Sequence, residues 1–233
     1  MIELVGVVVS GERGERRLDR CSFAVRPGEI LGLVGGTGSG KSSALAVAAG
    51  ALKPLRGRLV LDGRDVTRSP RKLRGVAGLL AHELPGPFDL TLGEWLELWA
   101  SLDAVPRAEL PGRLETALKA FPLPALHTPV SRLSHGQRRH LALARLWVRR
   151  PQVYLLDQPG DALDGTGLRA LTAALREVAA QGASVVLADA APHLAASVCD
   201  RVACLEAGQV VMDARRGDAE FEQRIAAAQG WTT

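Results

Sequence analysis

Apolar and polar positions alternate in short blocks at the start of the chain. Residues 2–9 (IELVGVVV) and 21–25 (CSFAV) are apolar runs bounded by turn residues, and the turn 26–29 (RPGE) leads into 30–36 (ILGLVGG). This pattern predicts short strands followed by a buried one. Residues 41–52 (KSSALAVAAGAL) contain no breaker before Gly50 and predict a helix, and 56–63 (RGRLVLDG) predicts another strand. From Leu90 to Arg150 the period becomes helical, in LGEWLELWASL and GQRRHLALARLWVRR, interrupted by the proline-rich AFPLPALHTPV. The chain then returns to a strand (QVYLLD), a helix (TGLRALTAALREVAAQG), a strand (ASVVLAD) and a closing pair, RVACLEAG and QVVMDA. Strand and helix in alternation predict an α/β chain with a mostly parallel sheet. No internal repeat or low-complexity linker interrupts it.

Composition narrows this picture. At 233 residues, 47% hydrophobic and 23% charged, the chain is long enough for one large core. No apolar stretch approaches the roughly 20 residues of a membrane span, so a soluble chain is expected. The first residues have no basic stretch ahead of an apolar segment, so a secretory signal is not expected and a cytosolic location is. Cys21, Cys199 and Cys204 form neither a CxxC pair nor an even set, and read as buried or idle thiols. The net charge of +4 comes largely from arginine, with GERGERR and RSPRKLR the densest patches. Those patches carry interleaved glutamates or adjoin turn residues, and lack stacking aromatics. They read as solvated faces, with no nucleic acid expected as partner; a surface facing acidic lipid headgroups is the other reading.

Three motifs carry candidate chemistry. Gly35-Gly36-Thr37-Gly38-Ser39-Gly40-Lys41-Ser42 fits GxxxxGK[ST] between a predicted strand and a predicted helix, with Ser43 following. Such a loop lets backbone N–H groups curl round phosphates, Lys41 reach the β and γ phosphates, and Ser42 offer its hydroxyl to Mg²⁺. The chain has only four lysines, and a purely structural glycine loop needs none there. Val153-Tyr154-Leu155-Leu156-Asp157 is an apolar run ending in a carboxylate, suited to a buried strand whose end holds a magnesium shell. Leu133-Ser134-His135-Gly136-Gln137 heads the helix RRHLALARLWV.

That last segment is similar to the LSGGQ signature of ABC ATPases, and the order of all three motifs agrees with that family. Asp157-Gln158-Pro159 and Ala162-Leu163-Asp164 resemble its Walker B extension and D-loop, and Cys199-Asp200-Arg201-Val202 the stretch before its closing hairpin. The resemblance covers essentially the whole chain. It implies a single ABC ATPase domain over 1–233. Residues 1–89 and 151–233 would form a P-loop NTPase core with a mostly parallel sheet and an N-terminal antiparallel β subdomain, and 90–150 an inserted α-helical signature subdomain. It also implies ATP and Mg²⁺ as cofactors, with Gly35 to Ser43 and Asp157 holding nucleotide and Ser42 and Asp157 the metal. Two such domains would pack head to tail, with Ser134, His135, Gly136 and Gln137 facing the partner's ATP. The partners implied are membrane-spanning transporter subunits and a second ABC ATPase subunit, at the cytoplasmic face of the membrane. Within the family, AHELPGPFDLTLGEWLELWA and LSHGQRRHLALARLWV resemble the haem-exporter ATPase of bacterial cytochrome c maturation.

Several positions depart from the family pattern. The glutamate that positions the attacking water is Gln158 here; the switch histidine falls at Ala190, with His193 three residues late; the γ-phosphate-sensing glutamine falls at His82; and VVVSGERGE lacks the aromatic that stacks on adenine. A glutamine introduced to trap ATP would explain Gln158 alone, so general erosion of this chain's own hydrolytic site is the more economical reading. Three functions fit: an ATP-binding subunit energising separate membrane subunits; a non-catalytic partner in a heterodimer, which the eroded site favours over a homodimer; and an ABC ATPase acting outside transport.

Overall fold

The computed structural model describes residues 1–11, 14–81, 83–189, 192–218 and 221. In chain order it begins with β1 (Ile2–Ser10), β2 (Arg16–Val25), β3 (Ile30–Val34), α1 (Lys41–Ala48), β4 (Arg56–Leu61) and β5 (Arg64–Asp65). Next come α2 (Pro70–Val76), β6 (Ala77–Leu80), α3 (Leu92–Leu102), α4 (Leu110–Ala120) and α5 (His135–Arg149). It continues with β7 (Val153–Asp157), α6 (Gly165–Ala180), β8 (Ser184–Asp189), α7 (Pro192–Val198), β9 (Arg201–Glu206) and β10 (Gln209–Arg215). One sheet is antiparallel, in the order β2-β1-β4-β5; the other runs β10-β9-β3-β8-β7-β6 and is parallel except for the β9–β10 hairpin. This is the mixed α/β architecture that the alternation predicts.

The central strands are apolar without alternation because both their faces are covered. In β7, Val153 and Leu155 face one core and Tyr154 and Leu156 the other; in β8, Val186 and Ala188 oppose Val185 and Leu187 in the same way. The first core packs the sheet against α1 and the antiparallel sheet, through Ala44, Leu45, Val47, Ala48, Leu4 and Leu59. The second packs it against α5, α6 and α7, through Leu143, Leu171, Leu175 and Ala195. Gly32, in the middle of β3, makes room for α7 and the residue after it: a Cβ there would lie 2.9 Å from Cys199 Sγ, 3.3 Å from Val202 Cγ1 of β9 and 3.4 Å from Ala195 Cβ of α7.

The helices between β6 and β7 carry a small core of their own, built from Leu92, Trp95, Leu96, Val130, Leu133 and Leu141. A capping box sets the start of α3: Thr91 Oγ1 accepts from the Glu94 amide and the Glu94 carboxylate accepts from the Thr91 amide at 2.9 Å. At its other end, Asp103 accepts from Arg145 at 3.2 Å while the Arg145 guanidinium lies 3.7 Å above the Trp99 ring, fastening α3 to α5. Five elements escape the hydrophobic pattern, among them the 11-residue α4, in which only Ala117 is buried and Pro111 stands in the first turn. The basic RSPRKLR, read as a solvated patch, starts α2 with Pro70 in its first turn, and in that helix only Leu73 is buried. Likewise β5, β6 and α7 are too short for periodicity to single out.

Arg201 joins the two ends of the sheet assembly. It donates to Glu29 at 2.6 Å, to Asp213 at 2.5 Å and to the Ala24 carbonyl. Burial pulls the Glu29 carboxyl up, but the Arg201 guanidinium and the Arg26 amide together hold it below the usual carboxylate range. A group lowered in the folded state stabilises above its unfolded value of about 4.3 and loses that effect as pH falls through the folded value.

Gly32→Ala should therefore lower stability by about 1–3 kcal/mol, read as an earlier urea midpoint, because α7 has to retreat from the added methyl. In Arg201→Met the acid-side loss of stability should flatten between about pH 5 and pH 2, because the main influence holding Glu29 down is gone. Urea midpoints across that range check it, and an unchanged pH slope would assign the acid loss to other carboxylates.

Candidate functional site

The parallel register brings distant segments to one edge. Val34 lies opposite Asp189, Ala188 opposite Asp157, and Leu156 opposite Leu80. The loops after β3, β8, β7 and β6 therefore leave the sheet side by side at its carboxyl edge, where α/β sheets bind ligands. With strands about 4.8 Å apart, the ends of β3 and β7 are separated by the single strand β8, roughly 10 Å in all.

The loop after β3 is the glycine run. Gly35 has φ +154°, and a Cβ there would lie 2.3 Å from the Leu205 carbonyl oxygen; Gly40 has φ +106°, with the Arg17 carbonyl 2.5 Å from its missing Cβ. Only glycine fits either place. Lys41 is 7% exposed and folds back over the loop, donating from Nζ to the Gly35 carbonyl at 2.7 Å, the Gly36 carbonyl at 2.9 Å and Ser39 Oγ at 3.4 Å. The Ser39 amide donates to Gly36, and the Gly208 amide at the β9–β10 turn donates to Ser39. Thr37, Gly38 and Ser42 are exposed, Gly36, Gly40 and Ser43 half-buried and Ser39 buried. A first helical turn leaves its N–H groups without intrahelical partners, so α1 presents amides and the Ser42 hydroxyl outward beside a clasped ammonium.

Asp157 ends β7 half-buried, and Gln158 follows with φ +47°, its amide donating to Ala188 at 2.7 Å. The signature segment begins α5 with a second capping box: Ser134 Oγ accepts from the Gln137 amide at 3.2 Å, and Gln137 Oε1 accepts from the Ser134 amide at 2.9 Å. His135 is exposed, with Nε2 3.5 Å from Asp161 Oδ2. Gly136 abuts the next loop, its missing Cβ 2.8 Å from the Ala162 carbonyl oxygen. Asp164 caps α6 through the Gly167 amide at 2.7 Å. Gly35 to Ser43, Asp157 and Gln158 thus share one edge, and Ser134 to Gln137 are held against the loop after Gln158. His82 and Ala190 lie outside the described residues, as does the side chain of His193.

One charged residue at this site was not singled out by motif. Arg139 is 4% exposed and donates to the Ala81 carbonyl at 3.1 Å and the Gln158 carbonyl at 2.9 Å. Burial pushes its pKa below the ordinary guanidinium value, and the Asp161 and Asp157 carboxylates oppose that. Its signal in the sequence is an arginine on the stripe of α5 that also contains buried Ala142, Leu143 and Leu146. Ser134→Ala should cost about 0.5–2 kcal/mol through loss of the α5 cap, measured by chemical denaturation.

Comparison with known proteins agrees with this arrangement. The family model described as ABC transporter matches residues 18–161. Among curated relatives, a methionine import ATP-binding protein of Geobacillus kaustophilus is 31% identical over 83% of this chain and 58% of its own length. A cobalt import ATP-binding protein of Rhodobacter capsulatus is 34% identical over 93% of this chain and 79% of its own length. A cytochrome c biogenesis ATP-binding export protein of Paramagnetospirillum magneticum is 40% identical over 71% and 76% respectively. The chain spans little more than half of the methionine relative. Of solved structures, an ATP-binding subunit of an ABC transporter superposes with a TM-score of 0.86 at 25% identity, covering 97% of this chain and 99% of that one. A dimeric ATP-binding cassette bound to ADP and Pi superposes with a TM-score of 0.80 at 25% identity, covering 94% of this chain and all of the other. With its glycine loop, its apolar strand ending in Asp157 and its capped signature helix in the family's order, the chain belongs to the ABC transporter family of ATP-binding subunits.

Proposed function

We propose that this chain binds Mg-ATP, pairs with a second ABC ATPase subunit across the nucleotides, and so energises transport through separate membrane-spanning subunits, while its own site hydrolyses ATP slowly. The observation that carries this reading is the Gly35–Ser43 loop, folded round Lys41 at the same sheet edge as Asp157. Polyphosphate fits there because its oxygens replace the Gly35 and Gly36 carbonyls as acceptors for Lys41 and meet the outward amides of α1. Ser42, exposed, and Asp157, half-buried at the strand end, would hold Mg²⁺, which supplies charge neutralisation on the phosphates. Pairing is supported by the dimeric solved relative bound to ADP and Pi. Among the described residues no helix is long and apolar enough to cross a membrane. The conduit in this reading is formed by membrane-spanning subunits, with this subunit peripheral at the cytoplasmic face.

Gln158 sets the expected rate. An amide cannot take the proton of an attacking water as a carboxylate does, and losing a general base commonly costs 10²- to 10⁴-fold. A second reading follows from the same residue. Ser134 and Gly136 keep the signature pattern while Gln158 does not, so this chain would complete the site of a catalytically intact partner in a heterodimer.

Lys41→Ala should abolish binding of labelled ATP, and unchanged affinity would show that the glycine loop is not the site. The native chain should turn over ATP very slowly, and Gln158→Glu should restore activity only in part, as steady-state phosphate release will show. Full rescue by that single change would contradict general erosion of the site.

A further inference from the structure

We infer that Arg139 is a positioning residue that carries the state of this chain's own nucleotide site to its signature helix, and through that helix to the nucleotide held by the facing subunit. The inference rests on the function proposed above. It adds a residue that neither the motifs nor the family pattern assigns.

Arg139 touches three segments that the chain separates widely. It belongs to α5, and its guanidinium reaches the Ala81 carbonyl, 58 residues away at the end of β6, and the Gln158 carbonyl, 19 residues away just after Asp157. Both acceptors are main-chain oxygens on loops at the carboxyl edge, where the phosphates would sit. A guanidinium is a planar, rigid fork, so two carbonyls gripped by it fix the position of the helix that bears it. Arg139 is nearly sealed from solvent, so water does not easily substitute for a lost carbonyl and a shift of either loop is passed to α5. Ser134, the helix cap, lies five residues away, about 7.5 Å along the axis.

The signature turn also lies close to the loop after Gln158: a Cβ at Gly136 would come 2.8 Å from the Ala162 carbonyl oxygen, so only glycine lets the first turn of α5 sit at this spacing. Arg139 holds the helix in, and Gly136 leaves it the room to be held there. The carboxylates of Asp157 and Asp161 offset part of the cost of burying the guanidinium.

The test compares the native chain with Arg139→Gln and Arg139→Lys, each with and without Mg-ATP. Three quantities are measured: affinity for labelled ATP, ATP-driven self-association by sedimentation, and hydrogen exchange of the peptide covering residues 133–140. Arg139→Gln should keep ATP affinity within about twofold of native yet weaken ATP-driven association about 3- to 30-fold, the range of a coupling residue. The ATP-dependent change in exchange over 133–140 should disappear with it. Arg139→Lys, which keeps the charge but not the fork, should fall between. A merely structural role predicts something else: ATP affinity and association falling together, with the exchange response retained. That result, or association unchanged in Arg139→Gln, would overturn the inference. Should Arg139→Gln not fold, Arg139→Lys carries the same comparison. Absence of ATP binding by the native chain would instead refute the function on which the inference stands.

Discussion

All five residues of β3 are buried, and those of β7 and β8 divide between two cores, so the middle of the large sheet is dry on both sides. A strand in that position offers water nothing but its ends. Parallel pairing then aligns five carboxyl ends, those of β9, β3, β8, β7 and β6, and the loops that leave them have no other place to go than one shared edge. The glycine run, Asp157, Gln158 and Ala81 meet there as a consequence of core burial, before any side chain chooses a partner. Their proximity in space follows from register, which explains how segments more than a hundred residues apart in sequence arrive at a common depth.

At this edge main-chain carbonyls accept from two buried cations. Lys41 takes the carbonyls of Gly35 and Gly36, and Arg139 those of Ala81 and Gln158. Carbonyls are dipoles, and they meet the hydrogen-bonding demand of a buried cation. The contrast is Arg201, where Glu29 and Asp213 supply two carboxylates and the cation serves as structural cement.

Much of this was legible in the sequence, and the exceptions have identifiable causes. The long runs read correctly because burial on both faces leaves unbroken apolar strands, as in VYLLD, and because α5 and α6 are long enough to show a helical period. Segments of two to seven residues such as β5, β6, α2 and α7 lack that length, and tertiary pairing rather than pattern decides them. The glycine loop was legible because its conformations admit almost no other residue. Ser134 and Gln137 were assigned outward roles from the signature pattern, yet their side chains also bind each other's main chain, as any helix cap might require. Arg139 is not legible in the sequence because arginine is ordinarily a surface residue, and only contacts across 58 and 19 residues reveal its burial.

The turn between β9 and β10 is a small feature with a long reach. Its Gly208 amide donates to Ser39, and its carbonyl accepts from the Asp19 amide. These bonds pin the glycine loop and the start of β2 to a hairpin that is made some 170 residues later in the chain. During synthesis on a ribosome the N-terminal strands emerge first, and contacts of such sequence separation must wait for the later residues. The loop that holds Lys41 is therefore not fastened until the hairpin has left the exit tunnel, so a nascent chain shorter than this lacks the clip that secures its phosphate loop.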